Sequence, residues 1–393
     1  MLVRRRMLFR ALSWGLLCLA ASVLPARAAA PPALANPDFA FPIPGDYVSP
    51  ANAASAGVAL ADRWLGSTGF ENPATATPRG IELSPVFQRV SRQDISSQNR
   101  DFTQVTGYPD VLGARLSWPM GAWGVTAYAW QPVLRLEEFS FSSGPLAQPA
   151  FVRLLTSQRE IRAGAAVSRG AGPARFGISG EYVRRDDAYE THEQSGSPSA
   201  GDRRIEFAGA GFGGSAGFTW EKDTDRPWGS WFGAAIHYGS ELTLDGTYSG
   251  VNDLPGGVAA DTSYAFTATR ETEWSGGVSG KVTIAPATRF VAGLSMRTGA
   301  DWTGLGIGTS TGASWGVGFD WKDPELSWGA RLGLGQERNP DALEEKSGLV
   351  SVGFTWVSGD LVLDVGFLHR NLAHGDLPRS SDDRITGSVR IAL

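Results

Sequence analysis

From about residue 79 to the C-terminus, apolar and polar residues alternate with period two, which puts successive side chains on opposite faces of an extended chain. In 271–284, Glu271, Glu273, Ser275, Gly277, Ser279, Lys281 and Thr283 share one face. Trp274, Gly276, Val278, Gly280, Val282 and Ile284 share the other. The same division recurs at 288–297 (Phe290, Ala292, Leu294, Met296 against Arg289, Gly293, Ser295, Arg297), at 346–356 and at 360–370. Segments of this kind fall at about 79–91, 109–118, 121–140, 153–168, 174–189, 203–221, 229–245, 263–284, 288–301, 304–321, 326–337, 346–357, 360–371 and 383–393. The pattern predicts about fourteen strands.

A soluble sandwich buries such a greasy face in its core, whereas a membrane barrel turns it to lipid and keeps the polar face for the lumen. The connections favour the barrel. Those at 119–121, 169–173, 222–227, 285–287, 322–324 and 358–359 are short, and those at 92–108, 141–152, 190–202, 246–262, 338–345 and 372–382 are mostly longer and more polar. Short turns at one end and long loops at the other mark an outer-membrane barrel. Trp118, Trp123, Trp220, Trp228, Trp321, Trp328 and Trp356 flank the short turns. An indole prefers the membrane interface, so these residues predict a periplasmic girdle.

The N-terminus supplies the compartment. Arg4, Arg5, Arg6 and Arg10 precede an apolar run from Ala11 to Leu24 and then Ala26-Arg27-Ala28, the order of a secretory signal peptide cleaved near Ala28. The run is short of the roughly 20 residues of a spanning helix. Cleavage removes the only cysteine, Cys18, and five arginines, moving the net charge from −5 to −10. That balance argues against nucleic acid as a partner.

No catalytic or cofactor pattern emerges. Gly209 to Gly214, "GAGFGG", matches a dinucleotide fingerprint in letters but continues into a further strand instead of a helix, so it predicts strand glycines at a crowded or bent point. His192, His237, His369 and His374 show no metal spacing; His369 faces lipid by parity, and His237 faces the lumen near Glu241. Arg115, Arg162, Arg175, Glu181, Glu241, Glu273, Lys281, Arg297, Arg331, Asp364, Arg384 and Arg390 fall on the lumenal face. Their mixed signs predict cross-strand pairs that stiffen a filled interior.

Residues 29–78 precede the first strand without alternating. A Pro-rich arm leads to Ser49-Pro50, an N-cap with proline at the first helical position, before a helix over 51–65 that Gly66 can end. Next comes Asn72-Pro73-Ala74. Pro73 drives Asn72 out of the helical region, and the Asn side chain can satisfy nearby backbone groups in an Asx-type turn.

The run "AASAGVALADRWLGSTGFENPATA" (53–76), followed by "IELSPVF" and by "WPMGAWGVTAYAW" (118–130), resembles the FadL-type family of long-chain fatty acid and hydrocarbon transporters. Its "ALAD" corresponds to Ala59-Leu60-Ala61-Asp62, and its "NPA" to Asn72-Pro73-Ala74. The resemblance implies a fourteen-stranded outer-membrane barrel (79–393) with an N-terminal hatch in the lumen (29–78), and Asn72, Pro73 and Ala74 as hatch residues. No enzyme, no metal and no cofactor are expected from the residues. Hydrophobic molecules would diffuse through the barrel down their gradient after capture at the outer rim. By position, Phe139, Phe141, Phe151, Tyr248, Tyr264 and Trp302 are the capture candidates. Outer-membrane lipid and a hydrophobic small molecule are the expected partners. Two alternatives stay open: a barrel that holds a secreted protein partner at the cell surface, and a general porin.

Overall fold

The computed structural model describes residues 71–75, 80–92, 105–106, 110–143, 150–194, 202–222, 229–254, 258–305, 307–308, 311–323, 327–338, 346–372 and 380–392. The expected signal peptide, Pro-rich arm and helix lie outside these residues, as do Trp228 and His374.

Fourteen strands form one sheet in which each pairs antiparallel with the next. They are β1 (Gly80–Arg92), β2 (Val105–Thr106 and Asp110–Met120), β3 (Trp123–Ser143), β4 (Ala150–Ala171), β5 (Ala174–Gln194), β6 (Asp202–Lys222) and β7 (Ser230–Gly239 and Leu242–Leu254). There follow β8 (Val258–Arg270 and Glu273–Ala285), β9 (Thr288–Arg297 and Asp301–Thr303), β10 (Ile307–Gly308 and Gly312–Lys322), β11 (Trp328–Arg338), β12 (Lys346–Ser358), β13 (Leu361–Leu372) and β14 (Ser380–Ile391). The last strand pairs with the first, from Ile81↔Ile391 to Arg92↔Ser380, and closes the barrel without an edge. Gly121, Gly172 and Gly359 take positive φ in the tight turns at the periplasmic end, which a two-residue hairpin connection requires.

Alternation is visible in the burial of each strand. Leu116, Phe176, Ile178, Ile236, Leu294, Phe319, Leu332, Val352 and Ile385 are exposed on the outside. Arg115, Ser117, Glu181, Ser279, Lys281, Arg331, Asp364 and Arg384 are buried on the inside. A greasy exterior around a polar interior is the membrane arrangement. The girdle is present among the described residues: Trp118, Trp123, Trp328 and Trp356 are exposed beside the short turns, and Trp321 lies 4.3 Å from Trp328 between ring centroids.

The wall is uneven. Strands β3 to β6 are 21, 22, 21 and 21 residues long, while β11 to β14 have 11, 13, 12 and 12. A tilted strand crosses the hydrocarbon core in about 9–11 residues, so the tall side projects well beyond it.

Three neighbouring strands on that side, read as continuous in the sequence, exchange their faces at breaks on a common level: β7 at Ser240-Glu241, β8 at Glu271-Thr272 and β9 between Arg297 and Asp301. The β6 pairing shows one extra residue in β7, since Gly213 meets Gly239 below the break and Ala210 meets Thr243 above it. One extra residue exchanges the two faces. Below the breaks Trp231, Ala235, Ser279 and Lys281 are buried; above them Leu242, Leu244, Tyr248, Phe266, Ala268 and Trp302 are buried, and Thr243, Asp245, Thr247 and Ser249 are exposed.

One expectation is corrected here. Glu241 does not line the lumen: it sits in the break and is exposed, as is Glu271 in the neighbouring one. The crowded point expected of "GAGFGG" is this same place, because a Cβ on Gly211 would come within 2.7 Å of Ser240 Oγ and 3.1 Å of Glu241 O. Another one-residue shift lies between Trp130 and Val133 in β3, at Gln131-Pro132. The remaining candidate lumenal charges lie on the inner face, many in ion pairs: Arg115–Glu82 at 2.6 Å, Lys281–Asp320 at 2.8 Å, Arg331–Asp364 at 3.4 Å and Arg297–Glu273 at 3.5 Å.

Candidate functional site: the lumen

The lumen is built in three levels, beginning near the periplasmic end with Asn72-Pro73-Ala74. Pro73–Thr75 form a single 3-10 turn, buried throughout. Asn72 organises it as an Asx turn does: its Oδ1 accepts from Ala74 N at 3.0 Å, and its carbonyl accepts from Thr75 N at 3.0 Å and Thr75 Oγ1 at 2.7 Å. Its side-chain amide donates outward to Phe218 O on β6 at 3.3 Å. The turn rests against Gly177 of β5 and Gly217 of β6, which pair across the two strands. A Cβ on Gly177 would stand 2.6 Å from Ala74 N, and one on Gly217 would stand 2.9 Å from Pro73 Cδ. Two bare backbones are therefore what let the turn lie flat on the wall.

The middle level is ionic. Glu181 of β5 accepts from Tyr128 Oη at 3.1 Å, Trp130 Nε1 at 3.4 Å and Arg162 Nη1 at 2.9 Å. Arg162 Nη2 also meets Glu160 Oε1 at 2.7 Å. The other oxygen of Glu160 takes Arg270 Nη1 at 2.9 Å and Arg185 Nη1 at 3.4 Å, and Arg185 Nε donates to Asp187 at 2.9 Å. Glu160 stands on β4 and Arg270 on β8, with three strands between them in the wall, so their contact crosses the lumen. Both side chains are about 2 % exposed or less, and in such a setting a carboxylate is tolerated only when paired and hydrogen-bonded.

The outer level is apolar. Val183, Tyr189, Ile205, Phe207, Leu242, Leu244, Tyr248, Phe266, Ala268, Trp302 and Leu305 form one buried cluster, with Tyr264 against it. Phe207 is its centre, 5.9 Å from Tyr189, 6.4 Å from Phe266 and 6.0 Å from Trp302 between ring centroids. Tyr248 stacks on Tyr264 at 5.0 Å. The Arg185 and Arg270 guanidinium carbons lie over the Trp302 ring, 5.4 and 5.9 Å from its centroid, joining this level to the ionic one.

Three of the six capture candidates, Tyr248, Tyr264 and Trp302, are thus brought together. Phe139, Phe141 and Phe151 fall on the outer parts of β3 and β4, where the backbone alone is described. Sequence reasoning did not find Glu160, Arg185, Arg270, Phe207 or Phe266. One signal was available: Glu160 and Arg162, like Arg185 and Asp187, are opposite charges two apart on one strand face. Of the histidines, His237 is on the inner face, while His369 on the outer face reaches Asp383 at 2.5 Å and Asn371 at 3.1 Å.

No family model and no curated protein matches the sequence. Solved structures do match in shape. A FadL homologue of Pseudomonas aeruginosa has a TM-score of 0.61 at 12 % identity, over 90 % of this chain and 99 % of that one. The toluene transporter TbuX of Ralstonia pickettii gives 0.59 at 14 %, over 89 % and 99 %. The monoaromatic hydrocarbon channel CymD gives 0.58 at 13 %, over 90 % and 99 %. At such identities the likeness lies in the fold. The chain is a closed fourteen-stranded transmembrane β-barrel with the fold of the FadL-type transporters.

Proposed function

We propose that this barrel carries small hydrophobic molecules across the outer membrane, by diffusion and without covalent chemistry. The observation that carries the reading is the outer-level cluster, an aromatic and aliphatic surface in the lumen, part of which is turned inward at three aligned strand breaks. A water-filled porin has a polar lumen; here the apolar surface faces inward on the extracellular side, where a molecule from outside arrives first. The structural neighbours include proteins named as a toluene transporter and a monoaromatic hydrocarbon channel, which agrees with that surface.

In this reading Tyr248, Tyr264 and Trp302 belong to the capture surface, and Phe139, Phe141 and Phe151 remain candidates for its rim. The N-terminal segment acts as a hatch, with Asn72, Pro73 and Ala74 as its seat on β5 and β6. A hydrophobic small molecule and membrane lipid are then the partners. The test is the initial uptake of radiolabelled toluene, methylcyclohexane and oleate by Gram-negative cells producing the protein. At least one probe should enter faster than into cells without it. Equal rates for all three would overturn the reading, and a stoichiometric secreted protein on the purified barrel would replace it.

A further inference from the structure

The Trp302 indole occupies an unusual position in the lumen. It stands on a three-residue strand segment, Asp301–Thr303, directly opposite Arg270 in register. The chain then turns sharply, with Gly304 at φ 93° and Leu305 N bonded to Trp302 O at 3.1 Å. Trp302 therefore stands at the start of a hairpin turn, unlike the aromatic side chains within the long strands. Two guanidinium groups lie over its ring, and the edge of Phe207 meets it at 68° between planes. A flat ring beneath desolvated cations is a cation–π arrangement, and the attraction belongs to the π face and not to its owner. Among the described residues, the ionic level beneath is balanced: Arg162, Arg185 and Arg270 face Glu160, Glu181 and Asp187. An arriving carboxylate would displace an established partner and gain nothing.

Building on the transport reading above, we propose that the space filled by Trp302 is a binding site for one uncharged aromatic ring. Arg185 and Arg270 recognise it, and Trp302 is the resident that the ligand replaces. Passage through the outer level then begins when a ring takes the place of the Trp302 indole. The cargo class is aromatic and neutral, in preference to saturated hydrocarbon or fatty acid.

The test uses the three uptake probes, each rate taken over that of cells without the protein, with heat-modifiable gel migration as the check of folding. Methylcyclohexane has the carbon skeleton of toluene without its π face. The unaltered protein should favour toluene by about fivefold, in line with a cation–π contribution in a desolvated site, with oleate at background. Arg185→Met should bring the toluene-to-methylcyclohexane ratio close to one. Trp302→Leu removes no charge, and it should raise toluene uptake by more than it raises methylcyclohexane uptake. If Arg185→Met does not fold, Trp302→Leu decides alone. Equal entry of toluene and methylcyclohexane in the unaltered protein, or a ratio that neither folded variant changes, overturns the aromatic site while leaving hydrophobic transport standing. Failure of all three probes would instead remove the transport reading.

Discussion

Gly177 and Gly217 show how much a single missing side chain can decide. Gly177 leaves room that Pro73 and Ala74 fill, Gly217 room that Asn72 and Pro73 fill, and any Cβ there would meet buried backbone, the Asn72 side chain or the proline ring. Gly217→Val should therefore unseat the turn while sparing the wall, whose strands pair with one another; the expected result is unchanged heat-modifiable migration with raised ion conductance in a planar bilayer. Unchanged conductance would show that the turn does not seal the lumen. The Asx geometry of Asn72 was legible, because Asn-Pro restricts its own backbone whatever lies around it. Its landing place was not. Asn72 and Phe218 are 146 residues apart, and nothing local in a glycine reveals what leans on it.

At the scale of the element, alternation was enough to read all fourteen strands but not the exchange of faces within β7, β8 and β9. The reason is physical: one inserted residue preserves the period on either side and changes only its phase. A reading that carries the phase through 229–245 sends Glu241 inward, whereas the structure exposes it and buries Leu242 and Leu244 instead. The exchange can be measured. Leu244→Ala, at a fully buried site, should cost about 2–5 kcal/mol in denaturant unfolding, and its exposed neighbour Thr243→Ala within about 0.5 kcal/mol. Similar costs would mean that the phase does not change. The ionic level was half legible for a related reason. Pairs two apart on one strand can be read from the chain, but Glu160 and Arg270 meet only because the barrel closes.

The whole molecule is two barrels in one, greasy outside and polar inside near the girdle, and the reverse on the tall extracellular side. The membrane is therefore expected to end near the breaks. Val278→Arg, on the lipid face below them, should cost about 2–4 kcal/mol, whereas Thr247→Arg above them should cost no more than about 1 kcal/mol when both are unfolded from liposomes. Equal costs would put the bilayer edge elsewhere. The pairing of β1 with β14 has a consequence of another kind, for the order of assembly. The seam joins the beginning of the wall to its end, so it can form only after every other strand exists. Thr75 is five residues from Gly80, where β1 begins, yet the turn lies against strands from the middle of the chain. A stretch made before the wall thus reaches its seat against strands made much later. Closing the seam then shuts it in, as a ship is enclosed when its bottle is blown around it.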